Sequence, residues 1–380
     1  MADKPKKKIR TEFRKKHESR TRNTDLTRAF HEHGFEDDDS AHGERVSGKG
    51  ELTRKRTIIG DDIEHEDASL SVHLDIDEAV CLRGRVLRVH GLQSMVQAEV
   101  SGAIHSCATR RLLKSLSTEQ RHVVVAGDHV IFRPGTGDEG FIERIDPRHG
   151  ILSRTSKGRQ HVIVANVDQL LIVTSAAEPT IKPNLIDRFL VTAEKGRIRP
   201  VICINKIDLV HAADLQPLAG VYGQMGYRVV LMSATTGQGV AQVRQLVRGK
   251  ESVVAGQSGV GKSSLLNAID PGLALRVSAV SEENQKGRHT TTTAQLIPLS
   301  CGGYVVDTPG IRQFQLWDVI PEEVAGYYRD IRPYINQCRF PNCTHTHEAD
   351  CAVKDAVADG RLDTRRYESY CYLHAGDLDG

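Results

Sequence analysis

The sequence predicts a multidomain protein: a small N-terminal β-barrel, a parallel α/β domain of the P-loop kind with its motifs in circularly permuted order, and a helical C-terminal segment around a Cys/His cluster. Three observations carry this reading. Short strand-like runs alternate with glycine turns up to about residue 150. Three nucleotide-type motifs follow, each at the end of an apolar run, and the base-reading one comes first. Near the C-terminus Cys338, Cys343 and Cys351 gather around His345.

A chain of 380 residues with 39% hydrophobic side chains can bury two or three cores. Its formal net charge of +2 hides an uneven distribution. Residues 1–70 read as a disordered, charged tail. The basic run Lys4-Pro5-Lys6-Lys7-Lys8-Ile9-Arg10 opens it, and Asp37-Asp38-Asp39 and Asp61-Asp62 follow. With almost no apolar periodicity, the segment cannot bury enough surface to fold alone. Two readings stay open: a solvated tail, or a basic arm contacting nucleic acid through residues 4–22 and 49–56. The basic run lacks the apolar core of a signal peptide. No apolar stretch approaches the ~20 residues of a membrane span. The expectation is a soluble, cytoplasmic monomer that contacts no membrane.

Residues 71–150 hold the barrel. Arg85–Val89, Met95–Val100, Val123–Val125, His129–Phe132 and Gly140–Ile145 are strand-like, and Gly91, Gly102, Gly127 and Pro134-Gly135 punctuate them. Length and pattern suit an OB-like barrel, although periodicity alone does not separate it from other small barrels.

Residues 151–318 alternate strand and helix patterns, as in a parallel sheet. Strands are predicted at Val162–Val164, Gln169–Val173, Val201–Ile204, Val229–Met232, Ser252–Ala255 and Tyr304–Val306, with helices at Leu185–Lys195, Val240–Val247 and Lys262–Ile269. Gly256-Gln257-Ser258-Gly259-Val260-Gly261-Lys262-Ser263-Ser264 is a phosphate loop opening a helix. Its backbone N–H groups and the helix N-terminus suit phosphates. Lys262 suits the β- and γ-phosphates, and Ser263 suits Mg²⁺. Asp307, at a strand end, suits Mg²⁺ through water, and the N–H of Gly310 can sense the γ-phosphate. Asn205-Lys206-Ile207-Asp208 supplies base choice. The Asp208 carboxylate can accept from guanine N1–H and N2–H₂, a donor pair adenine lacks. Lys206 can cover the base plane, and the backbone of Ser233-Ala234 can donate to guanine O6. Together these strings point to GTP with Mg²⁺.

Between the phosphate loop and Asp307, Gly287-Arg288-His289-Thr290-Thr291-Thr292-Thr293 lies where a first switch loop belongs. Thr291 is the choice for placing a hydroxyl on Mg²⁺ and an N–H on the γ-phosphate. Many GTPases orient the attacking water with a glutamine after Asp-x-x-Gly. Here that residue is Ile311. His289 is the leading candidate for the task and Gln313 the weaker one; the bland reading makes His289 a loop imidazole without a catalytic part.

Residues 319–380 read as helical pieces around Cys338, Cys343, His345 and Cys351. In a reducing compartment such a cluster reads as metal. Three thiolates and one imidazole form a closed tetrahedral set of the structural zinc kind. His347 competes with His345 as ligand.

In these residues the chain resembles the small-ribosomal-subunit-dependent GTPase A family of bacteria (RsgA, also called YjeQ). The permuted motif order, Gly287-Arg288-His289-Thr290-Thr291-Thr292, Cys343-Thr344-His345 and Cys351-Ala352-Val353-Lys354 carry the resemblance, which covers about residues 75–375. It implies an RNA-binding OB-fold, a circularly permuted GTPase domain and a C-terminal zinc-binding domain. It implies hydrolysis of GTP to GDP and phosphate, stimulated by the 30S subunit with its 16S rRNA, and a role late in 30S maturation. A hydrophobic residue in place of the usual glutamine, as at Ile311, fits the family. The resemblance favours His345 over His347 and one structural Zn²⁺ per chain.

Connectivity adds an expectation. The chain leaves the nucleotide motifs after Asp307–Gly310 and runs through Ile311–Trp317 into the Cys/His segment, so movement of Gly310 would pull on that segment. The alternative function is an RNA-associated scaffold that uses GTP as a structural or sensing ligand.

Overall fold

The computed structural model describes residues 7–11, 56–60, 80–109, 124–156, 159–275, 294–307 and 319–376. Within the region read as a disordered tail, β1 (Lys7–Thr11) pairs antiparallel with β2 (Arg56–Gly60), Ile9 opposite Ile58. This departs from a wholly unstructured tail. The aliphatic and β-branched residues Ile9, Thr11, Thr57, Ile58 and Ile59 supply strand propensity within the charged sequence, although a two-stranded ribbon is marginal by itself.

The barrel has five strands: β3 (Leu82–His90), β4 (Gln93–Ala98), β5 (Ile104–Thr109), β6 (His129–Pro134) and β7 (Glu139–Ile145). They pair in the order β3-β4-β5-β7-β6, and β6 returns to β3 to close the barrel; β5–β7 is the parallel pair. Alternation puts Val86, Val96, Ala98, Cys107, Val130, Phe132 and Ile142 inside. Closure removes the open edges that a five-stranded sheet would otherwise expose, and the order fits an OB-fold.

A hairpin of β8 (Leu152–Ser156) and β9 (Arg159–Val164) leads into the α/β layer. Its strands are β10 (Gln169–Ser175), β11 (Arg199–Asn205), β12 (Arg228–Leu231), β13 (Glu251–Ala255), β14 (Gln295–Pro298) and β15 (Tyr304–Asp307). The order is β12-β11-β10-β13-β15-β14, parallel except for β14. Every residue of β10 is buried, as expected for a strand covered on both faces. Leu170 and Ile172 pack on one side with α1 (Pro183–Lys195) and α2 (Gln216–Gln224). Leu171 and Val173 pack on the other with α3 (Val240–Val247) and α4 (Lys262–Ile269). The barrel meets this sheet where Tyr304 Oη donates to Gln97 Oε1 at 2.8 Å, Arg85 pairs with Glu251, and Gln295 bridges Arg88.

The C-terminal domain comprises α5 (Pro321–Tyr327), a 3₁₀ turn (Arg332–Gln337), the Cys/His loop, α6 (Ala352–Ala358) and α7 (Thr364–His374). It is seated on α1. Ile186, Phe189, Leu190 and Ala193 of α1 face the sheet core. Positions 187, 191, 194 and 195 form the opposite stripe, by the helical 3.6-residue period. Val191 joins the core of the C-terminal domain, Asp187 pairs with Arg366, Glu194 with Arg329 at 2.7 Å, and Lys195 with Glu323 at 2.8 Å.

Candidate nucleotide site and Cys/His centre

Parallel α/β sheets bind ligands beyond the carboxyl ends of their strands, and the sequence motifs converge there. The phosphate loop leaves β13, and the helix α4 begins at Lys262. Two glycines are required by close approach and left-handed backbone. At Gly256 (φ 146°) a Cβ would lie 2.0 Å from the Val173 carbonyl oxygen; at Gly261 (φ 90°) it would lie 2.3 Å from Asn205 Nδ2. Lys262 Nζ donates to the carbonyls of Gly256 (2.8 Å) and Gln257 (2.6 Å), so the ammonium already curls back over the loop. Val260 is buried in the core beside α3 and α4, and Ser258 faces solvent. Gly259, Ser263 and Ser264 are half-buried at the open side of the turn.

Asn205 ends β11 and is 2% exposed. Its Nδ2 donates to the Val260 carbonyl at 2.8 Å, and its Oδ1 accepts from Ala234 N–H at 3.0 Å. One buried amide thus spans the phosphate loop and the Ser233-Ala234 turn, its nitrogen and its oxygen each holding a partner as a buried polar group demands. Sequence alone assigns Asn205 to the ligand; its geometry adds the part of a strut. The Ala234 N–H expected for guanine O6 is engaged by this strut, while buried Ser233 caps its own turn by accepting from Thr236 N–H at 3.1 Å. Lys206 takes a left-handed conformation (φ 61°), and its ammonium donates to the Glu178 carbonyl. Asp208 lies exposed in the 3₁₀ turn Ile207–Leu209, whose Ile207 anchors it in the core. Asp307 ends β15, next to β13 in the sheet. His289, Thr291, Gly310, Ile311 and Gln313 lie outside the described residues. Glu178 carries no motif and escaped the sequence reading, because only its backbone carbonyl takes part.

The four predicted metal donors come together. Those of Cys338, Cys343, His345 and Cys351 all lie within 4.8 Å of one another. Cys338 Sγ is 3.3 Å from His345 Nδ1 and 3.9 Å from Cys351 Sγ; Cys351 Sγ is 3.6 Å from His345 Nδ1. A tetrahedron with Zn–S bonds of ~2.3 Å has edges of roughly 3.8 Å, so the set fits zinc. His347 is not part of it: its side chain is 81% exposed. Burial pushes the Cys343 thiol up to about 12 and lowers His345, which favours a neutral imidazole. Three thiols and a neutral imidazole gathered this closely form a donor set that a cation completes once the thiols give up their protons. The surroundings hold the loop. Glu348 accepts from Thr344 N–H and Oγ1, each at 2.7 Å, and from Thr346 N–H at 3.1 Å. Tyr367 Oη donates to the His345 carbonyl at 2.8 Å and Tyr370 Oη to the Thr344 carbonyl at 2.6 Å.

Comparison with known proteins adds independent findings. A family model described as RsgA GTPase matches residues 145–317. The small ribosomal subunit biogenesis GTPase RsgA of Thermotoga petrophila is 42% identical over 291 residues, covering 76% of this chain and 94% of the relative. That of Pectobacterium carotovorum subsp. carotovorum is 38% identical over 339 residues, covering 86% and 90%. Among solved structures, YjeQ from Thermotoga maritima superposes with a TM-score of 0.65 at 37% identity, covering 79% of this chain and 99% of that one. YloQ, described as a circularly permuted GTPase, gives a TM-score of 0.62 at 32% identity, covering 79% and 96%.

Proposed function

Because the chain belongs to the RsgA GTPase family, we propose that it is a cytoplasmic, monomeric GTPase that binds the small ribosomal subunit and assists its late maturation, with hydrolysis stimulated by that subunit. The observation that carries the nucleotide part is the Asn205 strut, which joins the phosphate loop to the two base-reading turns at one end of the sheet. GTP binds with its phosphates against Gly256–Ser264 and its base against Lys206, Asp208 and the Ser233-Ala234 turn. Lys262 exchanges its two loop carbonyls for phosphate oxygens. Asp208 selects guanine, since adenine would leave its carboxylate without donors. Ser263, Thr291 and Asp307 would hold Mg²⁺, which would neutralise charge between the β- and γ-phosphates.

The order of motifs along the chain supports a circularly permuted GTPase domain. The barrel supports an OB-fold that contacts 16S rRNA, and the Cys/His centre supports one structural zinc. With Ile311 unable to orient water, His289 takes that part on the subunit, and Gly310 senses the γ-phosphate. Turnover of GTP should be slow alone and rise at least tenfold with 30S subunits; His289→Ala should keep GTP and subunit binding and lose most of the stimulated rate. A native rate indifferent to 30S subunits would favour the scaffold reading, in which GTP is a sensing ligand.

A further inference from the structure

We propose that helix α1 couples the guanine pocket to the C-terminal zinc domain, with Arg366 closing the connection; the proposal rests on the GTP reading above. At one end of the connection is the base site. The Lys206 ammonium donates to the Glu178 carbonyl, and the Ala176 N–H donates to the Asn205 carbonyl at 2.8 Å. The residues that bracket the base therefore also hold the loop leading into α1, which starts at Pro183.

At the other end is a buried ionic cluster. Asp187, one turn into α1, is 1% exposed, and Arg366 on α7 is 3% exposed. Asp187 pairs with Arg366 Nη1 and accepts from Tyr222 Oη at 2.7 Å. Arg366 Nε and Nη2 each donate to Asp330 at 2.9 Å, and its guanidinium lies 4.3 Å from the centre of the Tyr328 ring. Tyr222 Oη also reaches the Pro183 carbonyl at 3.3 Å, tying the first turn of α1 to the same cluster.

A guanidinium cannot shed its proton to suit a dry site. If α1 shifts, Arg366 keeps Asp330 but Asp187 loses its cation inside the protein, and removing one partner of a buried pair is strongly unfavourable. The seat is therefore made or broken as a unit, which is what a two-state coupling element requires. Guanine stacked on the Lys206 stem would fix the ammonium on the Glu178 carbonyl and steady the entry to α1. By reciprocity, GDP tightens the zinc domain on α1 by the same factor that the seated domain tightens GDP. This route runs through packing and is distinct from the chain connection at 311–317.

The test uses the full, zinc-loaded chain. A fluorescent GDP titration gives affinity, and hydrogen exchange across Thr364–His374 with and without GDP reads the seat. Arg366→Lys keeps the charge and loses the fork. Arg366→Met combined with Asp187→Asn removes both buried charges together, and zinc content reports whether the domain stays folded. GDP should slow exchange in Thr364–His374 at least threefold in the native chain, and both variants should bind GDP at least threefold more weakly with zinc retained. A native chain that binds GDP with unchanged exchange across α7 overturns the coupling, as do zinc-retaining variants whose GDP affinity stays within twofold. A native chain that binds no guanine nucleotide sinks the GTP reading, and the coupling with it.

Discussion

The nucleotide cradle and the Cys/His centre are both short loops, but they are held in opposite ways. The cradle is a backbone device: two close-packed glycines, a buried asparagine strut and a helix start shape it before any ligand arrives. The Cys/His centre is a side-chain device, in which donors spread over residues 338–351 meet inside 4.8 Å, with burial raising the thiols of Cys343 and Cys351. Preorganised backbone survives without its ligand, whereas a cluster of thiols depends on the ion that replaces their protons.

The largest effect should come from removing the metal. Structural zinc sites in small domains carry roughly 10–16 kcal/mol of apparent binding free energy, so chelation or Cys343→Ser should unfold residues 338–374 and leave the parallel sheet intact. Hydrogen exchange on both regions checks this; a metal-free domain that keeps full protection would break the contrast. Because the thiols must lose protons to bind, zinc retention should fall as pH falls. Next comes Lys262→Ala. Its ammonium donates to the Gly256 and Gln257 carbonyls of the loop and is the group placed to meet phosphate charge, so GTP turnover should drop about 10²-fold or more. Unchanged turnover would place the chemistry elsewhere.

A smaller effect is expected at the strut. Asn205→Ala deletes two buried hydrogen bonds, at ~1–2 kcal/mol each when a partner is left unsatisfied. GDP affinity should fall on the order of tenfold by calorimetry, with the sheet still folded; an unaltered affinity would show that the cradle holds its shape without the strut. The smallest effect sharpens the other side of the comparison. The Arg339–Asp350 pair near the centre is 68% and 61% exposed. Surface pairs contribute about 0–1 kcal/mol, so Arg339→Ala should scarcely move the domain's unfolding midpoint. A large shift would mean that surface charge, and not metal, holds the loop.

Much of this was legible in the chain. Helices at Val240–Val247 and Lys262–Ile269 appear where the apolar period puts them. The helix Gln216–Gln224 was not foreseen, since two glycines interrupt its pattern, nor was β14, a four-residue strand with a terminal proline. The resemblance already favours His345 over His347, and burial agrees: His345 is 2% exposed, whereas the His347 side chain is 81% exposed.

By itself the sequence determined the local chemistry: which turns can take phosphate, which carboxylate can read a base, which thiols can share a metal. Those properties depend on neighbours a few residues apart, and covalent spacing alone specifies them. Only the tertiary structure decided the joints: Asn205 as a strut to Val260, the Lys206 ammonium on a Glu178 carbonyl, and Arg366 closing on Asp187. Such contacts join residues tens to more than a hundred positions apart, and nothing in local pattern encodes them, because they exist only once the fold has brought distant segments together; for Asn205 and Arg366, burial also makes an unpaired polar group too costly to leave.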